Sequence, residues 1–456
     1  MQTQIFTVHK RHLGLRAPTV LAVGFALTIL VGALVLMLPV SAADGQITPF
    51  LDALFTAASA SCVTGLVTVS TAVHWSVFGK CVILLLIQIG GLGFMSVAAI
   101  ASFVLRRTIT LHERMVMSAG LNLSDGGGIV RLTRRVLFGT FIIEGTGAVL
   151  LSCRFVPHYG FPKGITMGVF HAVSAFCNAG FDLMGTPDDP FQSLIGWAED
   201  PLVNITVMAL IVLGGLGFFV WSDVWDKHRF CRLRLHTKIV LTATAGLLLF
   251  GFGWTLLFEW SNPATLGTFD TPHKLLAAAF ESVTLRTAGF NTIDLGALTG
   301  PSQAVSCLLM FIGGSPGSTA GGIKTVTAAV LVLTAISAFC GRTTVSAFGR
   351  TIAPRSIMNA VTLLMAGGVL CLVGACAIAG IEDAPFHQCL FEAVSAFGTV
   401  GVSMGLTPTL SAASRVILIV MMYMGRVGVL TLGVAVFMRR REPPRLKYPD
   451  ADVFIG

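Results

Sequence analysis

FTAASASCVTG at 55–65 is the first of four related stretches, followed by FHAVSAFCNAG at 170–180, FESVTLRTAG at 280–289 and FEAVSAFGTVG at 391–401. Each stretch is an apolar run that ends in a small polar cluster and a glycine, and the four glycines are 115, 109 and 112 residues apart. A long apolar segment precedes each stretch and another follows it. Self-similarity at a fixed period is typical of tandem copies of one structural unit. The sequence therefore predicts four repeated units.

The composition places these units in a membrane. Of the 456 residues, 54% are hydrophobic and 11% are charged, with a mean hydropathy of +0.83, whereas soluble globular proteins carry about 25% charged residues. These values argue against a soluble enzyme, a disordered regulator and a fibrous protein. Eight apolar segments reach the roughly 20 residues that span a bilayer: 18–40, 76–105, 135–157, 201–222, 238–260, 302–340, 357–381 and 413–438.

The helical part of each motif is too short to cross the bilayer, at roughly 12 residues. We expect it to enter the membrane and return, and irregular backbone at that depth is tolerated only inside protein or around a wet cavity. The prediction is an all-α polytopic membrane protein of four tandem helix–pore loop–helix units, with eight spanning helices and four re-entrant half-helices forming a pseudo-fourfold pore. The unit bounds are 1–105, 106–222, 223–340 and 341–438, with a basic cytoplasmic tail at 439–456.

Basic and acidic residues alternate between the apolar segments, and the net charge is +8. By the positive-inside rule, the side with the basic segments is the cytoplasm, so both termini are expected inside the cell. Topology thus explains the basic excess, and the expected partner is the lipid bilayer rather than a nucleic acid. The ten cysteines include no C-x-x-C pair, and no phased cluster of His, Cys or carboxylates appears. We therefore predict neither an enzyme nor a bound cofactor.

The glycine loops offer backbone oxygens rather than carboxylates, which excludes a site for divalent ions. Glycine turns carbonyls inward without steric cost, and rings of carbonyls replace the water shell of monovalent cations in potassium filters. Close packing of helices is the alternative role for these glycines. The predicted filter residues are Val63, Thr64, Gly65, Asn178, Ala179, Gly180, Thr287, Ala288, Gly289, Thr399, Val400 and Gly401.

A glycine-rich segment, GGSPGSTAGGIKT at 313–325, interrupts the second apolar segment of the third unit. Glycine and proline disfavour a continuous helix there. We predict a flexible intramembrane loop below the filter that acts as a gate, with a kinked helix as the alternative. The predicted gate residues are Gly313, Gly314, Ser315, Pro316, Gly317, Ser318, Thr319, Ala320, Gly321, Gly322, Lys324 and Arg426.

Arg426 occupies, in the fourth unit, the position of Gly91 and Gly215 in the first two units. A charge at this depth is costly unless it is paired or hydrated, and marks a functional residue by default. We predict that Arg426 faces the cavity beneath the filter as an electrostatic barrier to cations. A structural contact with an acid or with loop carbonyls is the alternative, and both roles are compatible.

Two more charged residues fall inside the repeated units. Arg286 lies within the third glycine motif, where a positive charge on the axis would block cations. We expect it to point behind the filter to a carboxylate such as Glu281 or Glu392. Glu144 lies in the middle of an apolar segment, and the sequence assigns it no role.

The segments FCNAGF at 176–181, LRTAGFNT at 285–292 and FGTVGVS at 397–403 resemble the Trk/Ktr/HKT superfamily of potassium transporters, and the resemblance covers the whole chain. The length and the lack of an extra N-terminal helix pair are most similar to the Ktr-type membrane pore subunit. Some plant members with serine at the first filter position prefer sodium. This chain has glycine at that position, Gly65, and in this it is similar to the potassium-selective members. The first motif, SCVTGL, is nevertheless the least typical of the four copies.

The resemblance implies potassium uptake across a bacterial plasma membrane, through a channel-like pore driven by the membrane potential. It also implies a homodimer, a regulatory cytosolic nucleotide-binding (RCK-type) ring, potassium as the substrate and sodium as a candidate activator. A sodium- or proton-coupled potassium symporter is the alternative. Coupled transporters often consist of two inverted halves, whereas four parallel copies favour the pore.

Overall fold

A computed structural model describes residues 17–93, 129–429 and 431, which are mostly helical. The helices are α1 (Ala17–Leu36), α2 (Phe50–Cys62), α3 (Val77–Leu92), α4 (Ile129–Tyr159), α5 (Lys163–Phe176), α6 (Pro201–Leu216), α7 (Phe218–Lys227), α8 (Leu235–Glu259), α9 (Thr271–Thr284), α10 (Gly300–Phe311), α11 (Thr325–Phe339), α12 (Pro354–Ile381), α13 (Phe386–Gly398) and α14 (Ala412–Val427). A small antiparallel hairpin, β1 (Ser346–Ala347) and β2 (Arg350–Thr351), lies between α11 and α12. The predicted helical class is confirmed for these residues.

Each glycine motif forms the end of a short helix and the loop after it. The short helices α2, α5, α9 and α13 contain 13, 14, 14 and 13 residues. A longer helix precedes each one: α1, α4, α8 and α12. The motif phenylalanines anchor the short helices, because Phe55, Phe280 and Phe391 are fully buried and Phe170 is nearly so. Burial of a phenylalanine contributes about 1.5–3 kcal/mol.

The second helix of each repeat packs against the short helix of the next repeat. Thus α3 contacts α5, α6 contacts α9, and α10 contacts α13. The series ends where it began, because α14 contacts α2. The four described repeats therefore contact one another in a closed cycle that follows chain order.

Within 17–93, 129–429 and 431, fewer helices are long enough to span a membrane than the sequence predicts for the whole chain. Among the described residues, α1, α4, α8 and α12 are sufficiently long and apolar, and α6 with α7 makes a fifth span only if the two count together. The prediction of a continuous span is wrong for 201–222, because α6 and α7 meet at 92° around Gly217, whose φ is +95°. The segment 302–340 is likewise divided, into α10 and α11. Hydropathy reports how apolar a segment is and does not detect a glycine whose backbone ends a helix.

The helices α3 and α14 also end at a glycine with positive φ, Gly93 at 81° and Gly428 at 90°. The later parts of the predicted spans 76–105 and 413–438 lie outside the described residues. The same holds for the predicted tail, 439–456, and for the unit bounds at 105 and 438.

Candidate functional site

Each motif has two residues in the left-handed backbone region, the glycine and the residue two positions before it. The pairs are Val63 (φ 58°) and Gly65 (100°), Asn178 (59°) and Gly180 (69°), Thr287 (68°) and Gly289 (85°), and Thr399 (52°) and Gly401 (91°). A residue other than glycine is uncommon there and costs about 1–3 kcal/mol, so surrounding structure must hold it. The recurrence of this backbone in four loops indicates one shared geometric requirement.

A hydroxyl group in each short helix stabilises the loop that follows. Ser174, Thr284 and Ser395 donate to the carbonyl of the residue after the motif glycine, at 2.7, 2.6 and 2.6 Å. In the first loop, Ser59 Oγ accepts a hydrogen bond from Gly65 N at 3.0 Å. These four hydroxyl residues are not among the predicted site residues. Alignment of the motifs on their glycines would have revealed them, because each lies five or six positions before the glycine.

The four loops meet in one ring, and the carbonyl before each glycine faces the glycine of a neighbouring loop. A Cβ atom built on Gly65 would lie 2.5 Å from Ala179 O, and one built on Gly180 would lie 2.7 Å from Ala288 O. In the same way, a Cβ atom on Gly289 would lie 2.7 Å from Val400 O, and one on Gly401 would overlap Thr64 O. Only glycine fits at these four positions without displacing a neighbouring loop. Neighbouring loops in the ring are thus consecutive along the chain, and each of the four predicted filter loops contributes one equivalent carbonyl.

Three threonine hydroxyls at the loop tips are buried without a hydrogen-bond partner among the described residues. They belong to Thr64, Thr287 and Thr399, each of which is fully buried. Buried hydroxyls are normally hydrogen-bonded. These hydroxyls therefore have unused hydrogen-bonding capacity, and that of Thr399 lies against Gly321.

A cavity of about 230 Å³, called here the mouth cavity, is lined by the four motif glycines and by residues that follow them. Its lining includes two carboxylates, Asp182 and Asp294. Burial raises the pKa of the Asp182 carboxyl from 3.8 to about 6, although the hydrogen bond from Met184 N opposes the shift. Carboxylates lining a cleft raise the local cation concentration. Among the described residues, no group of three or more His, Cys, Asp or Glu side chains is placed to hold a metal ion.

Residues 312–324 are non-helical, and they are called here the gate loop after the role predicted for them. They are bonded to the second repeat, because Ser315 N donates to Gly215 O at 3.0 Å and Phe218 N donates to Gly317 O at 2.9 Å. The kinked-helix alternative is therefore wrong for this segment.

The gate loop contacts three of the four motif loops. The neighbouring pairs are Gly313 with Thr287, Gly322 with Gly398, and Thr319 with Asn178. The motif residues in these pairs all precede their glycines, whereas the mouth cavity is lined by the glycines and residues after them. The gate loop and the mouth cavity thus lie at opposite ends of the ring.

Arg426 links the gate loop to the first repeat. Its guanidinium donates to Thr319 O and to Gly90 O. Lys324 contacts the same loop, because its Nζ donates to Ala320 O at 2.6 Å. In the described part of the chain, both cations therefore donate to backbone carbonyls rather than to acids.

The predicted carboxylate partner of Arg286 is wrong. Its guanidinium donates to Gly313 O at 3.2 Å and Thr244 O at 3.5 Å. Glu392 accepts hydrogen bonds from hydroxyls of the segment after the fourth glycine, and the carboxyl oxygens of Glu281 have no hydrogen-bond partner among the described residues. The physical reason is that the gate loop is non-helical, so its carbonyls are available to a nearby guanidinium.

Glu144 lies behind the second motif loop. Gln88 Nε2 donates to both of its carboxyl oxygens at 3.1 Å. Cys177, next to the predicted filter residue Asn178, places its Sγ 3.8 Å from Glu144 Oε1. The residue that the sequence left unassigned therefore connects α4, α3 and the second loop, and only the repeat packing brings these partners together.

The chain matches the TrkH family model, described as cation transport protein, over residues 6–442. It is 42% identical over 439 residues to the Ktr system potassium uptake protein B of Bacillus subtilis, with 96% of each chain covered. It is 41% identical over 443 residues to the potassium/sodium uptake protein NtpJ of Enterococcus hirae, again with 96% of each chain covered.

A solved structure agrees with these matches at the level of the fold. The crystal structure of the potassium transporter TrkH from Vibrio parahaemolyticus superposes with a TM-score of 0.72 at 17% identity, and the match covers 94% of this chain and 86% of that one. The resemblance inferred from the glycine motifs is confirmed. The chain belongs to the TrkH family of cation transport proteins.

Proposed function

We propose that the protein takes up potassium across a bacterial plasma membrane through a channel-like pore driven by the membrane potential. The four repeats form a pseudo-fourfold pore of helix–pore loop–helix units. The motif loops are its selectivity filter, and potassium is the transported substrate. The relative of 42% identity, which is named a potassium uptake protein, supports this substrate.

The observation that carries the proposal is the ring of four equivalent carbonyls. Thr64 O, Ala179 O, Ala288 O and Val400 O each face the glycine of a neighbouring loop. Carbonyl oxygens in such a ring replace the hydration shell of a potassium ion. The acidic mouth cavity at one end of the ring supports entry of cations from that side.

The gate loop closes the other end of the pore in this proposal. It lies against three motif loops, and Arg426 fixes it to the first repeat. A guanidinium beside the pathway raises the energy of a passing cation. Displacement of Arg426 and of the parts of the loop that lie against the third and fourth motif loops would open the pathway, while residues 315–319 stay bonded to the second repeat.

Partners and coupling are further parts of the proposal. We infer a homodimer, both termini in the cytoplasm, and a cytosolic nucleotide-binding ring that moves the gate loop. A sodium-coupled potassium symporter is the second candidate, because a relative of 41% identity is named a potassium/sodium uptake protein.

Ion flux into liposomes that contain only this protein separates the candidates. Under an imposed negative potential, uptake of potassium and rubidium without any sodium or proton gradient is the expected result. Uptake that requires a sodium or proton gradient would instead establish the coupled symporter. A closed protein that conducts after a cytosolic partner is added would support the regulated gate.

A further inference from the structure

One side chain connects the gate loop to the second motif loop. Thr319 is fully buried, and its Oγ1 lies 3.0 Å from Asn178 Oδ1 and 3.3 Å from Phe176 O. A hydroxyl donates a single hydrogen, so these two acceptors share it. The backbone N–H of Thr319 donates to Gly214 O at 3.3 Å. Thr319 is thus fixed against the second repeat by its side chain and its backbone.

Asn178 depends on this contact. Its backbone is left-handed, with φ at 59°, and a residue in that region must be held by its surroundings. Within the described part of the chain, its side chain has no other hydrogen bond, and Nδ2 is buried without a partner. Loss of the Thr319 hydroxyl would leave the whole buried amide unsatisfied, which is costly.

The other three loops have no equivalent contact among the described residues. Val63, at the position of Asn178 in the first loop, has no polar side-chain atom. The hydroxyls of Thr287 and Thr399, at that position in the third and fourth loops, have no hydrogen-bond partner there. At this position of the motif, therefore, the side chain of the second loop is hydrogen-bonded to the gate loop and those of the other three loops are not.

The same threonine also contacts the barrier arginine. The Thr319 carbonyl accepts from Arg426, while the Thr319 hydroxyl bonds the filter residue Asn178. The two contacts use different atoms of Thr319, so Arg426 can leave the carbonyl while the hydroxyl stays on Asn178. The next residue after Asn178 is Ala179, whose carbonyl belongs to the ring.

We propose that Thr319 is a positioning residue that holds the second filter loop in its potassium-selective form. Discrimination between potassium and sodium depends on the number and placement of the coordinating carbonyls. A loosened Asn178 would let Ala179 O move and would weaken the exclusion of sodium. Ion selectivity of the conducting pore then depends on the contact between Thr319 and Asn178. This inference rests on the proposed function of the ring as a filter.

The test compares rubidium with sodium uptake into liposomes that contain the full chain. Thr319→Val removes the hydroxyl and keeps the shape, and Thr319→Ser restores the hydroxyl. Thr334→Val is the matched control, because it makes the same change at a hydroxyl that donates to Val330 O within α11, at 2.7 Å. Thr319→Val should lower the rubidium-to-sodium ratio by roughly threefold or more, the size expected from one lost hydrogen bond. Thr319→Ser and Thr334→Val should keep the wild-type ratio.

The ratio does not depend on how much protein is folded, since both ions are measured in the same preparation. A wild-type ratio in Thr319→Val would overturn the inference, even if the total flux changed. If Thr319→Val transports neither ion, Thr319→Ala is measured with the same criterion. A wild-type protein that does not discriminate rubidium from sodium would refute the proposed filter itself, and the inference with it.

Discussion

Arg415 Nη1 lies 2.7 Å from Asp52 Oδ1, although 363 residues separate the two in the chain. Arg415 belongs to α14 in the last repeat, and Asp52 to α2 in the first. The same carboxyl oxygen accepts from Thr68 Oγ1 at 2.8 Å. The side chains of the ion pair are only 20% and 17% exposed. This contact reinforces the packing of α14 on α2, which closes the cycle of repeats.

Arg415→Ala should therefore destabilise the protein by about 1–3 kcal/mol, because it leaves a largely buried carboxylate without its cation. The matched control is Arg135→Ala, whose pair with Asp226 is about half exposed on both sides and should contribute less than ~1 kcal/mol. Thermal unfolding of the purified variants in detergent measures both. Equal losses in the two variants would show that ring closure does not depend on the Asp52–Arg415 pair.

Arg426→Ala should increase rubidium uptake under a negative potential. The variant loses the guanidinium beside the pathway and the bonds to Thr319 O and Gly90 O. Each ~1.4 kcal/mol of lowered barrier raises a rate tenfold, so an increase of roughly tenfold is expected. Arg426→Lys keeps the charge and should stay closer to the wild type. Unchanged uptake in Arg426→Ala would argue against a barrier at this position.

Gly65→Ser should reduce selectivity for potassium over sodium. A Cβ there would lie 2.5 Å from Ala179 O, and φ is +100°, so the first and second loops must both shift. The control is Gly45→Ser, since Gly45 also has a positive φ of +70° but no atom within 4 Å of a Cβ. The potassium-to-sodium flux ratio should fall by roughly tenfold in Gly65→Ser, which corresponds to ~1.4 kcal/mol of discrimination. If the potassium-to-sodium flux ratio were equal in Gly65→Ser and Gly45→Ser, the first loop would not be part of the selectivity filter.

Glu144→Ala should destabilise the protein more than Glu144→Gln. The alanine leaves the Gln88 amide without its acceptor, which costs about 1–3 kcal/mol for a buried group. Glutamine keeps one acceptor oxygen and nearly the same volume. The denaturation midpoints of the two variants measure this difference in stability. Equal midpoints would mean that the Gln88 contact contributes little to the packing behind the second loop.

Rubidium uptake should decrease as the pH on the side of the mouth cavity falls through about 6, the pKa to which burial raises Asp182. Above that pH the carboxylate is charged and attracts cations, and below it the carboxylic acid is neutral. Uptake by Asp182→Asn should lack this step at all pH values between 5 and 8, roughly the range on either side of the transition. The same pH profile in the variant and the wild type would assign the step to another group.

The repeats could be predicted because the motif glycines and the spacing between them can be read directly from the sequence. The short helices α2, α5, α9 and α13 and the interruption at 313–325 follow from local composition. The bend at Gly217 does not, because a hydropathy window counts apolar side chains and is insensitive to one backbone angle. Phe218 and Trp221, which both follow the bend, are apolar and look in the sequence like the continuation of a span.

The partners of the charged residues could not be predicted for a different reason. Arg286 donates to Gly313 O and Thr244 O. Every residue has a backbone carbonyl, so the sequence does not show which carbonyl accepts from a given side chain. Glu144 meets Gln88 across 56 positions of chain, through the packing of two repeats. The Ser174, Thr284 and Ser395 hydroxyls were recognisable in the aligned motifs, because their spacing from the glycine repeats.

In the proposed cation pathway, ions pass through the ring of Thr64, Ala179, Ala288 and Val400 carbonyls. Anomalous diffraction from crystals of the protein soaked in rubidium tests this pathway, because it locates the ion itself. We expect rubidium peaks on the axis between the four motif glycines, and no such peaks when sodium replaces rubidium. Rubidium peaks only elsewhere in the molecule, with an empty ring, would refute the pathway.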